Sequence, residues 1–153
     1  MKNIFITIIV IVLVILIGWW FSAKKESVST DEISALLQDI ETTTGIDFSD
    51  IKDVDINWST ETGVQIVKGK GFEVLRISDD QFRSIGAFFA DQSFEVDVYN
   101  VAAGTVSGMS GYAKDKIVCL FFAGVTGYKE AEGQWIPPEP DKIDAEIMCG
   151  NKP

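Results

Sequence analysis

Histidine is absent from the 153 residues of this chain, and only two cysteines and four prolines are present. Without histidine, the chain has no Ser-His-Asp or Cys-His catalytic group, no histidine-ligated zinc site and no usual general base near neutral pH. The serines and glycines of residues 104–111 fit neither G-x-S-x-G nor a phosphate-binding loop. We therefore expect no catalytic residue, no resident metal and no cofactor, and we predict that the protein is not an enzyme.

Basic residues are scarce in most of the chain. The first 25 residues contain three lysines and no acid, so residues 26–153 hold 10 basic and 23 acidic groups, a net charge of −13. Nucleic acids and anionic lipid surfaces both require a positive surface on a protein partner. The acidity argues against both, and we expect no nucleic-acid binding.

Residues 4–21 form a long apolar run that contains one hydroxyl group and no charge. As a helix, these 18 residues would span about 27 Å, close to the hydrocarbon thickness of a bilayer. An aromatic cluster and then Lys24 and Lys25 follow, as at a membrane interface. The alternative is a cleaved signal peptide, but the best cleavage site places bulky Phe21 where a small residue is needed. We predict an N-terminal transmembrane helix within residues 1–25 and a soluble domain over residues 26–153.

The orientation of this single-pass segment is harder to predict. Lys24 and Lys25 outnumber Lys2, which favours a cytoplasmic domain by the positive-inside rule. In contrast, a short N-terminal tail before a first apolar segment commonly stays inside, and the cysteine pattern described below favours export. We expect a cell-membrane protein whose domain is extracytoplasmic.

Two segments carry helix signals. Ser29 followed by Glu32 is typical of a helix start, apolar residues recur at helical spacing after it, and Gly45 is a suitable stop. Ser78 and Gln81 repeat the capping pattern before a second apolar stripe. The sequence therefore predicts two amphipathic helices in the domain.

Alternation of apolar and polar residues predicts strands over residues 54–58, 64–77, 94–98 and 143–149, with a strongly apolar central strand over residues 117–124. Gly69 and Gly71 suggest a bulge or a turn within the second strand, and residues 101–112 suggest a bent strand or a loop. Residues 127–142 have the composition of a long surface loop. We predict an α+β fold of two layers, an antiparallel sheet with two helices packed on one face.

Cys119 and Cys149 each share strand parity with apolar neighbours, so both would point to the apolar face. In an exported domain, two cysteines most simply form one bridge. This disulfide would close a loop of about 30 residues and stabilise the fold by roughly 3 kcal/mol. The alternative is a pair of buried reduced thiols.

Two further features have a functional and a structural interpretation. Asp53, Asp55 and Asn57 resemble the start of a calcium loop, but Trp58 and Val64 occupy the positions of its glycine and its bidentate glutamate. Trp135 lies in a proline-stiffened segment and is the candidate partner-binding residue, because tryptophan is favoured at interface hot spots. A tryptophan that covers the core is the structural alternative.

The sequence leaves three functions open. The first is a membrane-anchored extracytoplasmic domain that binds a protein partner or stabilises an envelope assembly. The second is an envelope hydrolase that uses two carboxylates. The third is a small-ligand or calcium-binding sensor domain.

Overall fold

The computed structural model describes residues 28–48, 50–104, 107–124, 129–131, 134–136 and 143–153. It contains two helices, α1 and α2, and eight strands, β1 to β8. In chain order these are α1 (Thr30–Thr44), β1 (Lys52–Thr60), β2 (Gly63–Ile77), α2 (Asp79–Asp91), β3 (Glu95–Ala103), β4 (Ser107–Lys114), β5 (Ile117–Gly124), β6 (Lys129–Ala131), β7 (Gln134–Ile136) and β8 (Ile143–Asn151).

Both helices begin at the predicted residues, and α1 also ends where predicted. The Ser29 side chain accepts a hydrogen bond from the backbone N–H of Glu32, and Gly45 ends α1 in the left-handed conformation with φ 64°. At α2, Ser78 and Gln81 form both halves of a capping box. The two predicted helices are confirmed. Their starts could be predicted because each depends on hydrogen bonds between residues close together in the sequence.

Six strands form one antiparallel sheet in the order β1-β2-β8-β5-β4-β3. The apolar strand β5 lies inside it, with β8 on one side and β4 on the other, as its composition predicts. Strands β6 and β7 pair with each other as a separate hairpin within the segment predicted as a loop. The antiparallel α+β fold with two helices is therefore confirmed, and part of the predicted loop is a hairpin.

The main core lies between the helices and one face of the sheet. Its helical residues include Leu37 and Ile40 of α1 and Phe89 of α2, all fully buried. Against them pack the β5 and β8 residues of one strand parity, among them Phe121 and Ile147. This layer places both helices on one face of the sheet.

The opposite face holds a second, smaller core that the sequence did not predict. Its buried members come from β1, β2 and β5: Ile56, Trp58, Val67, Val118 and Leu120. β2 extends beyond the end of β8, so the tip of the β1–β2 hairpin pairs only with itself. This tip lies over the second face, where its tryptophan approaches Gly111 of β4. The sheet is therefore curled, with its two outer strands brought toward each other.

Close packing explains two glycines that were predicted to interrupt β2. Strand β2 continues through Gly69 and Gly71 without a bulge, which corrects that prediction. A Cβ atom on Gly69 would collide with the backbone carbonyl of Cys149, and one on Gly71 would lie 2.8 Å from the carbonyl oxygen of Ile147. The irregularity lies further along, between Val74 and Ile77.

No helix among the described residues is long and apolar enough to cross a membrane. The predicted transmembrane helix, residues 4–21, lies outside the described residues.

Candidate partner-binding surface

The two cysteines form a disulfide bond in the main core. Cys119 of β5 and Cys149 of β8 are directly opposite each other in the antiparallel register, with Cα atoms 4.0 Å apart. Both side chains are fully buried. The predicted bridge is confirmed, and it joins two interior strands of the sheet rather than a loop to the sheet.

A buried asparagine joins the two outer strands. Asn100 of β3 accepts a hydrogen bond from the backbone N–H of Ser59 on β1 at 2.9 Å and donates one to the Ser59 carbonyl, also at 2.9 Å. Its amide group also donates to the Asp97 carboxylate at 3.0 Å. The Asn100 side chain thus makes the two hydrogen bonds to Ser59 that the backbone of a neighbouring strand would make. Both its amide oxygen and its amide nitrogen have partners, as a fully buried polar side chain requires.

Asn100 ends a bulge in β3. Asp97 pairs with Gly111 and Val101 pairs with the next residue along β4, Ser110, so three residues of β3 lie between adjacent ladder positions. The Asp97 carboxylate accepts a hydrogen bond from the Tyr99 N–H at 3.0 Å, which holds the backbone of the bulge. Val98 and Tyr99 project from it and are 78% and 55% exposed.

Large apolar side chains remain in solvent along this strand. Val96 and Val101 flank the bulge and are about half exposed, although alternation with Phe94 predicted one common face for Val96 and Val98. Phe94 itself is buried, just before β3 begins. The apolar alternation of this segment therefore does not indicate a buried face.

The apolar surface extends across the junction between the outer strands. Val64 of β2 is directly opposite Ser59, the residue that Asn100 binds, and Ile66 is two positions along the same face. Both are about two-thirds exposed. We name the resulting set the β3 surface: Val64, Ile66, Val96, Val98, Tyr99 and Val101. Each of the six is about half exposed or more, and groups of exposed apolar side chains that cover a few hundred Å² often mark interaction sites.

The border of the β3 surface is acidic. Strand β3 contains no lysine or arginine, and its two acids, Glu95 and Asp97, are paired with Ala113 and Gly111 on the face opposite to Val96. Glu61 lies in the turn beside Val64, and Lys114 of β4 lies two positions beyond Tyr112, on the face of Val96. Within the described part of the chain, neither Glu61 nor Glu95 has an ion-pair partner. The surface is thus an apolar area with negative charge at its edge.

Trp135, the residue proposed from sequence, lies in β7 and pairs across the hairpin with Glu130. Four residues separate the end of β5 from β6, so β6 starts within roughly 17 Å of Gly124. Val28 lies at the opposite end of the sheet, where the side chain of Asn151 accepts from its N–H at 2.6 Å and donates to its carbonyl at 3.2 Å. Strand β5 therefore ends, and the chain continues toward the β6–β7 hairpin, at the end of the sheet opposite to Val28.

The carboxylates suggested for calcium are paired with lysines on the next strand. Asp55 bonds Lys68 at 2.5 Å and Asp53 bonds Lys70 at 2.7 Å, each directly opposite its partner in the β1–β2 register. The ammonium groups neutralise the charge that a cation would need. The described residues contain no cluster of three or more potential metal ligands.

Two glutamates lie side by side on neighbouring strands, whereas the β1–β2 pairs have an acid opposite a lysine. Glu73 of β2 is directly opposite Glu146 of β8, on the face away from the helices. Burial raises the pKa of Glu146, and the negative charge of Glu73 raises it further. Phe122 of β5 is also opposite Glu146 and is 42% exposed. These residues place a carboxyl group that holds its proton more tightly than usual beside an ionisable neighbour and an aromatic ring.

A cleft of about 870 Å³ lies between α1 and the β4–β5 turn, at the same end as Val28. Its charged residues have both signs, with Glu32 and Asp39 on the helix and Lys114 at the end of β4. Lys114 already donates to the Gln92 carbonyl at 2.7 Å. The cleft therefore has no group of like-charged side chains that could bind an ion or a charged ligand together.

No family model, no curated protein and no solved structure matches this chain. The candidate surface consequently depends on the geometry of the described residues. Sequence reasoning missed Tyr99 and Asn100, and the one available signal was that β3 has no basic residue among its nine positions.

Proposed function

We propose that this protein is a single-pass membrane protein whose domain, residues 26–153, lies outside the cytoplasm and binds a protein partner through the β3 surface. The observation that carries the proposal is the β3 surface itself, because a group of large apolar side chains exposed on one part of a soluble domain often marks an interaction site. Tyr99 at its centre belongs to the residue types that dominate binding energy at interfaces.

Two other observations support the membrane location. Residues 4–21 have the length and composition of a membrane span. The Cys119–Cys149 disulfide suits an oxidising compartment, since cytosolic thiols are kept reduced. In an anchored chain, Val28 would lie on the membrane side of the domain, and the end of β5, from which the chain continues to the β6–β7 hairpin with Trp135, would lie about 23 Å further along the sheet. Trp135 is proposed as a second contact for the partner.

The orientation is tested with an introduced cysteine. Thr62→Cys places a thiol in the exposed β1–β2 turn, away from the native disulfide. A membrane-impermeant maleimide should label it in cells whose cytoplasmic membrane is intact, without lysis. Labelling that requires lysis would place the domain in the cytoplasm and contradict this part of the proposal.

Partner binding is tested by photo-crosslinking in the same cells. A benzoylphenylalanine at position 99 should give a discrete cross-linked product, and the same residue at exposed Gln38 on α1 should not. A third variant at position 135 tests the hairpin. If positions 99 and 38 give the same products, or neither gives any, the β3 surface is not a binding site.

We propose carboxylate-based hydrolysis of an envelope glycan as a second candidate, supported by the Glu73 and Glu146 pair. The raised pKa of Glu146 suits a general acid, and two opposed carboxyl groups suit glycoside hydrolysis. The full-length protein should then release new reducing ends from cell-envelope glycan, and Glu146→Gln should abolish this. Activity that is absent, or unchanged in Glu146→Gln, would remove this candidate and leave the first intact.

A further inference from the structure

We propose that the β3 surface takes a polypeptide partner whose apolar contact residues are bordered by lysine or arginine, an inference that rests on the protein-binding function proposed above. Partner charge is inferred from the border of the surface. Glu61 lies beside Val64 and Glu95 lies on the reverse side of β3, both without an ion-pair partner among the described residues, and β3 supplies no base. Complementary charge at an interface rim speeds association and rejects partners of like sign.

Three lysines near the surface leave this sign unchanged, because Lys114 is a single base against Glu61, Glu95 and Asp97. Lys68 and Lys70 lie on β2, on the same face as Ile66, but each is bonded to an aspartate of β1. Their charges are therefore balanced within the protein. A basic partner meets a border that is negative on balance, within a domain whose net charge is −13.

The same charge argues against a second copy of this chain as the occupant. Two copies joined through their β3 surfaces would bring two acidic borders together and would also join two domains of net charge −13. Like charges brought together at an interface disfavour the complex. A partner with basic residues removes this cost and gains attraction in its place.

The manner of contact also follows from the structure. An exposed outer strand commonly binds an added strand through backbone hydrogen bonds. In β3 this route is interrupted, because Asn100 already bonds Ser59 of β1 and three residues bulge from the ladder. The partner therefore contacts the side chains of the face, chiefly Val98 and Tyr99, rather than extending the sheet.

The experiment uses the full-length chain in cells, with benzoylphenylalanine at position 99 and sequencing of the cross-linked segment by mass spectrometry. We expect a segment of a different protein with net positive charge. The double variant Glu61→Lys, Glu95→Lys should lower the cross-link yield about tenfold. Asp39→Lys, Asp50→Lys is the matched control, with the same change in charge at exposed positions elsewhere, and should keep the yield within twofold. Both doubles are first checked for an unchanged urea midpoint.

A synthetic peptide of the cross-linked segment provides a measurement outside the cell. Its Kd for the full-length chain in phosphatidylcholine nanodiscs should rise about tenfold when its lysines and arginines are replaced by glutamine. Tyr99→Ala in the protein should raise the Kd about 30-fold, as expected of a central aromatic contact.

The outcomes separate the two proposals. A cross-linked segment that is neutral or acidic, or an equal loss of yield in both charge variants, overturns the basic partner and leaves partner binding in place. A cross-link to a second copy of the chain also overturns the basic partner. Absence of any product specific to position 99 overturns the proposed function together with this inference.

Discussion

Strands β1 and β3 form the two edges of the sheet. The exposed side chains of β1 are largely charged, whereas those of β3 are largely apolar. The exposed positions of β1 include Asp53 and Asp55, each bonded to a lysine of β2. The exposed positions of β3 include valines and a tyrosine, and the strand has no base. Charged residues on an outer strand discourage other chains from pairing with it. β1 is protected in this manner by its own side chains, whereas β3 is protected by a bulge and by a bond to β1.

The difference shows how a sheet can carry an apolar outer strand without offering a free edge for aggregation. Asn100 occupies the backbone groups of Ser59 that face away from β2, so one side chain shields part of both strands. Val98 and Tyr99 can then remain in solvent. The backbone of β3 is restricted while its side chains stay available.

The largest expected effect comes from removing the bond between these strands. Asn100→Ala leaves the N–H and carbonyl of Ser59 without their partner in a half-buried position, and it opens the second core beside Trp58. We expect a loss of about 3 kcal/mol in the free energy of unfolding, measured by urea denaturation. Asn57→Ala on exposed β1 is the control and should change stability by less than about 0.5 kcal/mol. Equal effects would mean that Asn100 does not join the strands.

The second prediction concerns the space beneath the same bond. A Cβ atom on Gly111 would overlap Cβ of Asn100 and lie 3.1 Å from Cη2 of Trp58. Gly111→Ala should therefore cost about 2 kcal/mol through overpacking. Gly108→Ala on the same strand is the matched control, since the nearest atom, the Ala102 carbonyl oxygen, would be 3.6 Å away. Thermal unfolding of the two variants should differ by several degrees, and coincident curves would contradict this packing.

The third prediction concerns Glu73 and Glu146, which have the same charge, whereas the pairs between β1 and β2 have charges of opposite sign. Because the pKa of Glu146 is raised in the folded protein, folding is favoured when this group is protonated. Its contribution therefore makes the protein more stable as pH falls from neutrality through the folded pKa, and the gain is complete below the ordinary value of 4.5. Glu146→Gln should increase stability at pH 7 by less than about 1 kcal/mol, since the group is only partly buried.

The measurement is the difference in unfolding free energy between wild type and Glu146→Gln at pH 7 and at pH 4.5. The advantage of the variant should shrink at the lower pH. An advantage that grows as pH falls would reverse the assigned direction of the pKa shift. Glu95→Gln on exposed β3 serves as the comparison for the loss of one negative charge.

The smallest effect is expected at the ion pairs of β1. The side chains of Lys68 and Asp55 are 80% and 56% exposed, so the double variant Asp55→Ala, Lys68→Ala should change stability by less than about 0.5 kcal/mol. Instead, it should remove the charge that protects this strand and increase aggregation, followed by light scattering during refolding. If β1 is protected by the hairpin alone, scattering will match that of wild type.

Local signals explain how much of the fold could be predicted. Ser29, Gly45 and Ser78 mark helix ends because their effects depend on neighbours within four residues. The strand over residues 117–124 was predictable because it is buried on both faces, and the parity of Cys119 and Cys149 was sufficient to predict their bond. The α+β fold with two helices and an antiparallel sheet follows from this pattern.

The candidate site could not be predicted because its causes are distant in sequence. Asn100 lies 41 residues from Ser59, and an asparagine in a strand gives no sign of which backbone it will bond. Alternation over residues 94–98 predicts one apolar face, yet Val96 and Val98 are exposed beside and within the bulge at residues 98–100. Gly69 is required by the nearby backbone carbonyl of Cys149, which lies on another strand and so gives no local signal in the sequence.

The bond pair between Val28 and Asn151 has a mechanical consequence. A pull on the chain ahead of Val28 passes through the Asn151 side chain into β8 before it can unwind α1. β8 is hydrogen-bonded to β2 on one side and β5 on the other, and the disulfide fastens it to β5. A force applied to the chain before Val28 is thereby divided among the hydrogen bonds of β8 to β2, those of β8 to β5 and the disulfide bond, and the helices bear little of it.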